Sequence, residues 1–281
     1  MKVEELIRDD SALGSPPIVV TQLHGVIKRR SSSSKDIAQV ILADGALSAR
    51  LLKLANSAMF GFPGRIEEVD YAVTLIGTKQ VYSLAMATAV IDTFKGVDTG
   101  PFHAEAFWEH SLAVACAGHA LAKASNHADG ESVFLTGVLH DLGRLAMMVE
   151  ATQDMIVALH RSRKSHEPLS HSESAVFGFD HTMAAKTLLE RWKLPAAVVQ
   201  PVVRHHRPGA DRPSCLLHLA DAVIHGLGIG HSGENAIPPL QDTVWKMVKL
   251  KTTALKQVVA QVEVTYRQLR QEFLGHSADA A

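Results

Sequence analysis

Four separated stretches of the chain carry residues suited to a single divalent-metal site. They are Trp108-Glu109-His110, Leu139-His140-Asp141-Leu142-Gly143, Phe179-Asp180-His181, and His205-His206 followed by Leu219-Ala220-Asp221. Imidazole nitrogen and carboxylate oxygen are the donors that a hydrolytic metal centre uses. A mixed set of this kind suits Fe, Mn, Co, Ni or Zn better than Ca or Mg, which favour oxygen alone. One or two such ions lower the pKa of a bound water toward ~7 and clamp the oxygens of a phosphoester.

Helices must position these residues, because the apolar pattern has helical period almost throughout and never sustains the alternation of a strand. The expected fold is all-α. Pro16-Pro17 opens a helix through about Arg30, the serines 31–34 end it, and Ser33 with Asp36 forms a capping box for the next. Asp44 caps a helix with the apolar stripe Leu47, Leu51, Leu54 and Ala58, broken by Phe60-Gly61-Phe62-Pro63-Gly64. Helices follow near 67–76 and 79–93, separated by Gly77. The segment 95–101, Lys95-Gly96-Val97-Asp98-Thr99-Gly100-Pro101, is the expected boundary between a unit at 1–98 and one at 99–281. His24 alone among the 16 histidines precedes residue 100, which gives the two units different tasks.

At 3.6 residues per turn, His110 shares a stripe with Val114, Ala117 and Leu121, and His181 heads a stripe of Ala185, Leu188 and Trp192. Asp141 lies under Val138 and Phe134, and Asp221 is one turn from Leu217 and Ile224, so all four point inward. Buried carboxylates and imidazoles need hydrogen bonds or a cation, and their convergence calls for a shared one. His218 and His225 flank Asp221 at about one turn and are read as either donors that orient it or ordinary packing. Glu173, eight residues before His181, is read as part of a solvated helix face. His119 falls on the face opposite His110. His103, His127, His160, His166, His171, His231 and His276 sit in polar or terminal contexts and are read as solvated.

A net charge of -1 with scattered basic residues argues against nucleic acid as a partner. Cys116 and Cys215 lie in apolar helical patterns, as buried thiols of a reducing compartment do. The acidic start Met1-Lys2-Val3-Glu4-Glu5 does not read as a signal peptide. The apolar run 81–91 is too short to span a bilayer, which needs ~20 residues. A cytoplasmic location with no membrane contact is the expectation. Leu255, Val259, Val262, Tyr266, Leu269 and Phe273 form the stripe of a C-terminal amphipathic helix expected to dock on its own domain, with a partner protein as the alternative.

These residues carry a resemblance. The set His110, His140-Asp141 and Asp221 is similar to the minimal pattern of the HD superfamily of metal-dependent phosphohydrolases, and His181, His205 and His206 match additions seen in its HD-GYP branch. The stretch 44–58, with Leu54-Ala55-Asn56-Ser57, resembles the core signature of the HDOD family of bacterial signalling output domains, as do residues 71–77 and Glu190-Arg191-Trp192-Lys193-Leu194-Pro195. The resemblance spans roughly residues 15 to 230 and implies a small N-terminal helical bundle packed on a larger HD-like helical bundle. It also implies a role in signal transduction through contacts with other signalling proteins or a phosphate-containing nucleotide. If the centre is catalytic, Asp141 bridges two ions, His110, His140 and Asp221 complete the first, and His181, His205 and His206 hold the second. Arg144, where HD-GYP enzymes carry Lys, would then neutralise substrate phosphate. His205-His206 continues into Arg207-Pro208-Gly209 without the Gly-Tyr-Pro loop of that branch, which counts against cyclic di-GMP hydrolysis. The expectations are thus a regulatory module with a divalent-metal site, a metal-dependent phosphohydrolase, or a nucleotide sensor without turnover.

Overall fold

The computed structural model describes residues 2–8, 13, 15–27, 29, 33–94, 96–97, 103–127 and 130–275. Every regular element among them is a helix. The first half holds α1 (Val3–Leu6), α2 (Ile18–Ile27), α3 (Ser34–Leu42), α4 (Gly45–Ala55), α5 (Val69–Ile76) and α6 (Thr78–Phe94). Their ends follow local chemistry. The Ser33 amide donates to Asp36 Oδ2 at 2.7 Å while the Asp36 amide reaches back to Ser33 Oγ at 3.4 Å, closing the capping box. Asp44 Oδ1 accepts the Ala46 and Leu47 amides at 3.0 Å. Gly77, at φ +92, ends α5 in a conformation that side chains resist.

Two expectations need correction. Helix α2 ends at Ile27, and Lys28, Arg30, Ser31 and Ser32 lie outside the described residues. Ala58 is exposed beyond α4, because Asn56 terminates that helix. The Asn56 amide donates to the carbonyls of Leu52 (2.7 Å) and Ile66 (2.8 Å) and accepts the Ile66 amide (2.8 Å), so one side chain ties the helix end to the strap leading to α5. Ala55, Ile66 and Ala72 pack beneath that tie.

The second half runs α7 (Ala104–Ala124), α8 (Gly130–Leu139), α9 (Leu142–Glu150), α10 (Thr152–Ser165), α11 (Leu169–Phe177), α12 (His181–Arg191), α13 (Ala196–Arg204), α14 (Arg212–Leu227), α15 (Asp242–Val248) and α16 (Thr252–Leu274). Helix α7 lies at its centre against α8, α14 and α16. The stripe of α16 is therefore covered by its own chain, with Val262, Leu269 and Phe273 fully buried. Of the boundary segment 95–101, only Gly96 and Val97 are described. The apolar core is continuous across it, since α6 packs on α8 and the Phe94 ring stacks on Trp192 with centroids 5.9 Å apart. From the N-terminal side, α1 rests on α9 and α12, and the Trp192 indole donates to the Leu13 carbonyl at 3.1 Å.

One stretch, Ser132–Glu150, has the length and apolarity of a membrane span, but 89% of it is buried inside the fold. It is a core segment that turns at His140 and Asp141. Helix α9 crosses α12 at Gly143, where an added Cβ would lie 1.9 Å from the His181 carbonyl oxygen. That contact brings the turn carrying Asp141 against the first residue of α12.

Candidate metal centre

Five elements deliver the histidines and aspartates to one point. His110 comes from α7, His140 and Asp141 from the turn between α8 and α9, and His181 from the start of α12. His205 and His206 follow the last turn of α13, and Asp221 lies within α14. Asp141 sits at φ -100, ψ 8 in the turn before α9, and its carboxylate makes no capping bond to the first amides of that helix. Six of the seven are buried, at 0 to 2% exposure, and His206 is half-buried at the rim.

The seven converge. His110 Nε2 lies 3.2 Å from Asp221 Oδ1, and His140 Nε2 lies 3.2 Å from Asp141 Oδ2 and 3.7 Å from Asp221 Oδ1. Across the same carboxylate, Asp141 Oδ1 is 3.3 Å from His181 Nε2. His181 Nε2 is in turn 2.9 Å from His206 Nε2 and 3.4 Å from His205 Nε2. Asp141 thus stands between two groups, one with His110, His140 and Asp221 and the other with His181, His205 and His206. Neighbouring donors around an ion at ~2.0–2.1 Å are themselves about 2.9–3.4 Å apart, and all of these spacings but the 3.7 Å from His140 to Asp221 fall in that range.

The outer edges of the rings decide what the inner edges present. His140 Nδ1 donates to the Gly137 carbonyl (2.8 Å), His205 Nδ1 to the Val202 carbonyl (2.7 Å) and His181 Nδ1 to Glu173 Oε2 (2.6 Å). Each of these acceptors lacks a proton, so each ring carries a hydrogen outward at Nδ1 and presents Nε2 to the centre, as a lone pair wherever the ring is neutral. His140 Nε2 and Asp141 Oδ1 find no hydrogen bond among the described residues. Converging lone pairs beside two buried carboxylates repel one another unless a cation lies between them, so these residues fit a divalent ion.

Protonation follows the same arrangement. Burial holds His110 and His206 below the ordinary imidazole value and brings His205 down to about 3, so all three are neutral ligands at pH 7. Burial also opposes charge on His140, but Asp141 and Asp221 outweigh it and raise His140 to about 9. Burial likewise opposes ionisation of Asp141 and Asp221, and the cations around them, Arg144 for one and His225 for the other, keep both carboxyls well below the usual range. Without a metal, His140 holds a proton that a metal must displace. Uptake of Mn or Zn is therefore expected to release protons, with affinity rising about tenfold per pH unit from 6.5 and flattening above about 9. Calorimetric titration in buffers of different ionisation enthalpy measures this; an affinity independent of pH over that window would rule it out.

Two residues, Glu173 and Arg144, take places that differ from their sequence reading. Glu173 is fully buried, not solvated: it accepts from the His181 ring and backbone amide and from Arg144 Nε at 2.9 Å. Its i±4 neighbours Leu169 and Phe177 are both buried, which was the available signal. Arg144, expected to meet phosphate, is 1% exposed. Its guanidinium donates to Asp141 (3.0 Å), Glu173 (2.9 Å) and Ser232 (2.9 Å), with Glu234 at 3.7 Å, so it orders the carboxylates around the centre. Ser232 and Glu234 come from the loop after α14, where no periodicity marked them. His218 makes no hydrogen bond to Asp221 among the described residues; its Nδ1 donates to the His205 carbonyl at 2.6 Å. His225 does reach Asp221 Oδ1, at 2.9 Å, and forms a third candidate ligand group with His110.

Fold and site together define a two-bundle, HD-like helical protein whose histidine and aspartate clusters are able to hold metal. A family model for the HDOD domain matches residues 13–208, and the chain belongs to the HDOD family. An HDOD domain protein of unknown function from Geobacter sulfurreducens shares its fold at a TM-score of 0.73 and 21% identity, covering 91% of this chain and 90% of that one. A Shewanella amazonensis SB2B protein, provisionally named a phosphohydrolase, superposes at a TM-score of 0.72 and 20% identity over 97% and 96% of the two chains. An uncharacterised Treponema pallidum (strain Nichols) protein is 24% identical over 192 residues. That match takes in 68% of this chain and only 37% of the Treponema protein, so the chain spans little more than a third of that relative.

Proposed function

We propose that this HDOD chain is a signal-transduction module that acts by contact with other signalling proteins, and that its divalent-metal centre serves to order the second bundle. The observation that carries this reading is the enclosure of Arg144 by Asp141, Glu173 and Glu234. The cation best placed to neutralise a phosphate is already neutralised. The cavity that opens at His206, of about 550 Å³, is lined by one guanidinium, Arg207, and the imidazole of His171, beside the carboxylates of Asp180 and Glu234. That lining suits an anionic phosphoester poorly.

A bound ion that recognises only the folded chain stabilises it by about 4 kcal/mol at a thousand times its Kd, roughly a 10 °C rise in melting temperature for a chain of this size. Chelation is expected to remove that increment. A panel of nucleotide and cyclic-dinucleotide phosphoesters supplied with Mn or Fe is expected to stay intact. A second reading, a metal-dependent phosphohydrolase, draws on the cavity reaching His206 and His218. In it, an ion held by the seven residues would supply Lewis acidity, and the chain would position the ester along the cavity. Hydrolysis that disappears in both His140→Ala and Asp141→Asn would establish this second reading and displace the first.

A further inference from the structure

The chain connecting α14 to α15, residues 228–241, forms no helix, and a connection of more than about 12 residues without regular structure is uncommon in a compact fold and usually has a task. It is tied down at three points, each beside a candidate ligand. At the first, Gly230, at φ +65, crosses α7 so closely that an added Cβ would lie 2.2 Å from the His110 amide nitrogen, and the His231 amide donates to the Ala106 carbonyl at 2.8 Å. At the second, Ser232 is fully buried and accepts from Arg144 Nη1 at 2.9 Å, while the same nitrogen donates to Asp141 Oδ2 at 3.0 Å. At the third, the Gln241 side-chain amide donates to the His206 carbonyl at 3.2 Å.

His110 belongs to one ligand group, His206 to the other, and Asp141 stands between them, so the three ties span the whole centre. Between the second and third ties, Glu234 accepts the Leu169 amide at 2.9 Å and the Asn235 and Ala236 amides at 3.0 and 3.3 Å. The stretch that follows, Ile237-Pro238-Pro239-Leu240, walls the cavity at His206, with Ile237 and Leu240 exposed. Its prolines have no amide to donate, so its place is set by the ties on either side. Lone pairs and carboxylates converging without a cation push the three anchors apart, whereas an ion between them fixes their spacing. Exposed loop segments open locally at far lower cost than packed helices, so a change in the anchors acts on this loop before it acts on the bundles.

We infer that the 228–241 loop displays the occupancy of the metal centre. With an ion bound it lies closed on the second bundle; with the ion removed it opens locally while the helices stay in place. The inference rests on the metal reading above and adds regulation to it: the wall of the His206 cavity, and with it the apolar side chains of Ile237 and Leu240, holds its position only in the loaded chain.

The test is hydrogen–deuterium exchange of the full chain, read by mass spectrometry after chelation and again after reloading with Mn, with the metal content of each sample measured. Peptides over 229–241 are expected to exchange roughly tenfold more slowly in the loaded chain, while those over α3, which packs within the first bundle, change less than about twofold. Ser232→Ala and Gln241→Ala each remove one tie and no ligand, so both are expected to keep the parent's Mn content and to lose roughly threefold of the protection. A chain that takes up no Mn removes the metal reading and this inference with it. Full Mn uptake with the loop unprotected, or with equal protection over α3, overturns the inference and leaves the metal reading standing. Protection unmoved in both variants overturns it likewise, and so does protection that persists in His140→Ala, where the ion would be acting from elsewhere.

Discussion

Gly143→Ala is expected to cost about 4 kcal/mol or more and to strip most of the bound metal, the signature of overpacking at a contact that cannot relax. The added Cβ would sit 1.9 Å from the His181 carbonyl oxygen and 2.7 Å from the Ala185 amide nitrogen. Both are backbone atoms of α12, so no side-chain rotation relieves the clash. Separating α9 from α12 also parts Asp141 Oδ1 from His181 Nε2, now 3.3 Å apart, and divides the two ligand groups. Gly25, within α2 and with nothing within 4 Å of its added Cβ, is the control: alanine there should stabilise by roughly 0.5–1 kcal/mol. Urea denaturation and metal analysis of the two variants measure the contrast. A Gly143→Ala chain as stable and as metal-rich as its parent would mean that the two helices do not cross this closely.

Arg144→Gln is expected to destabilise by about 3–5 kcal/mol, because it leaves buried carboxylates without their cation. Asp141, Glu173 and Glu234 are each 7% exposed or less, and none can recruit water freely. Arg144→Lys should recover little of this, since one ammonium cannot bond Asp141, Glu173 and Ser232 together as the guanidinium fork does. Glu173→Gln should be damaging in its own right, because the carboxylate also orients the His181 ring at 2.6 Å. The double variant is expected to be about 1–3 kcal/mol more stable than the sum of the single losses predicts, as for groups in direct contact. Equilibrium unfolding of the four chains gives that coupling. An Arg144→Lys chain that keeps its stability and its metal, and loses only affinity for phosphoesters, would return Arg144 to the role of phosphate ligand.

Features set by near neighbours were legible in the sequence. Ser33 with Asp36, Asp44 and Gly77 act on backbone groups within four residues, so their types alone mark where helices begin and stop. Helical period placed His110, His181 and Asp221 on inward faces, since burial of a stripe depends on spacing and not on which helix covers it. The direction of a side chain is a local property, but its partner is not. Glu173 finds Arg144 at a separation of 29 residues, His218 finds the His205 carbonyl 13 residues away, and Ser232 meets Arg144 across 88. A lone carboxylate reads as solvated until the cation that compensates it is in place, and a loop residue has no period to betray it. The sequence by itself therefore determined an all-α chain with inward imidazoles and carboxylates, because those follow from turn chemistry and a 3.6-residue repeat. Only the tertiary structure decided that Arg144 is sealed among acids and that Asp141 stands between two groups of ligands, because both depend on helix crossings set by close contacts such as Gly143 against His181.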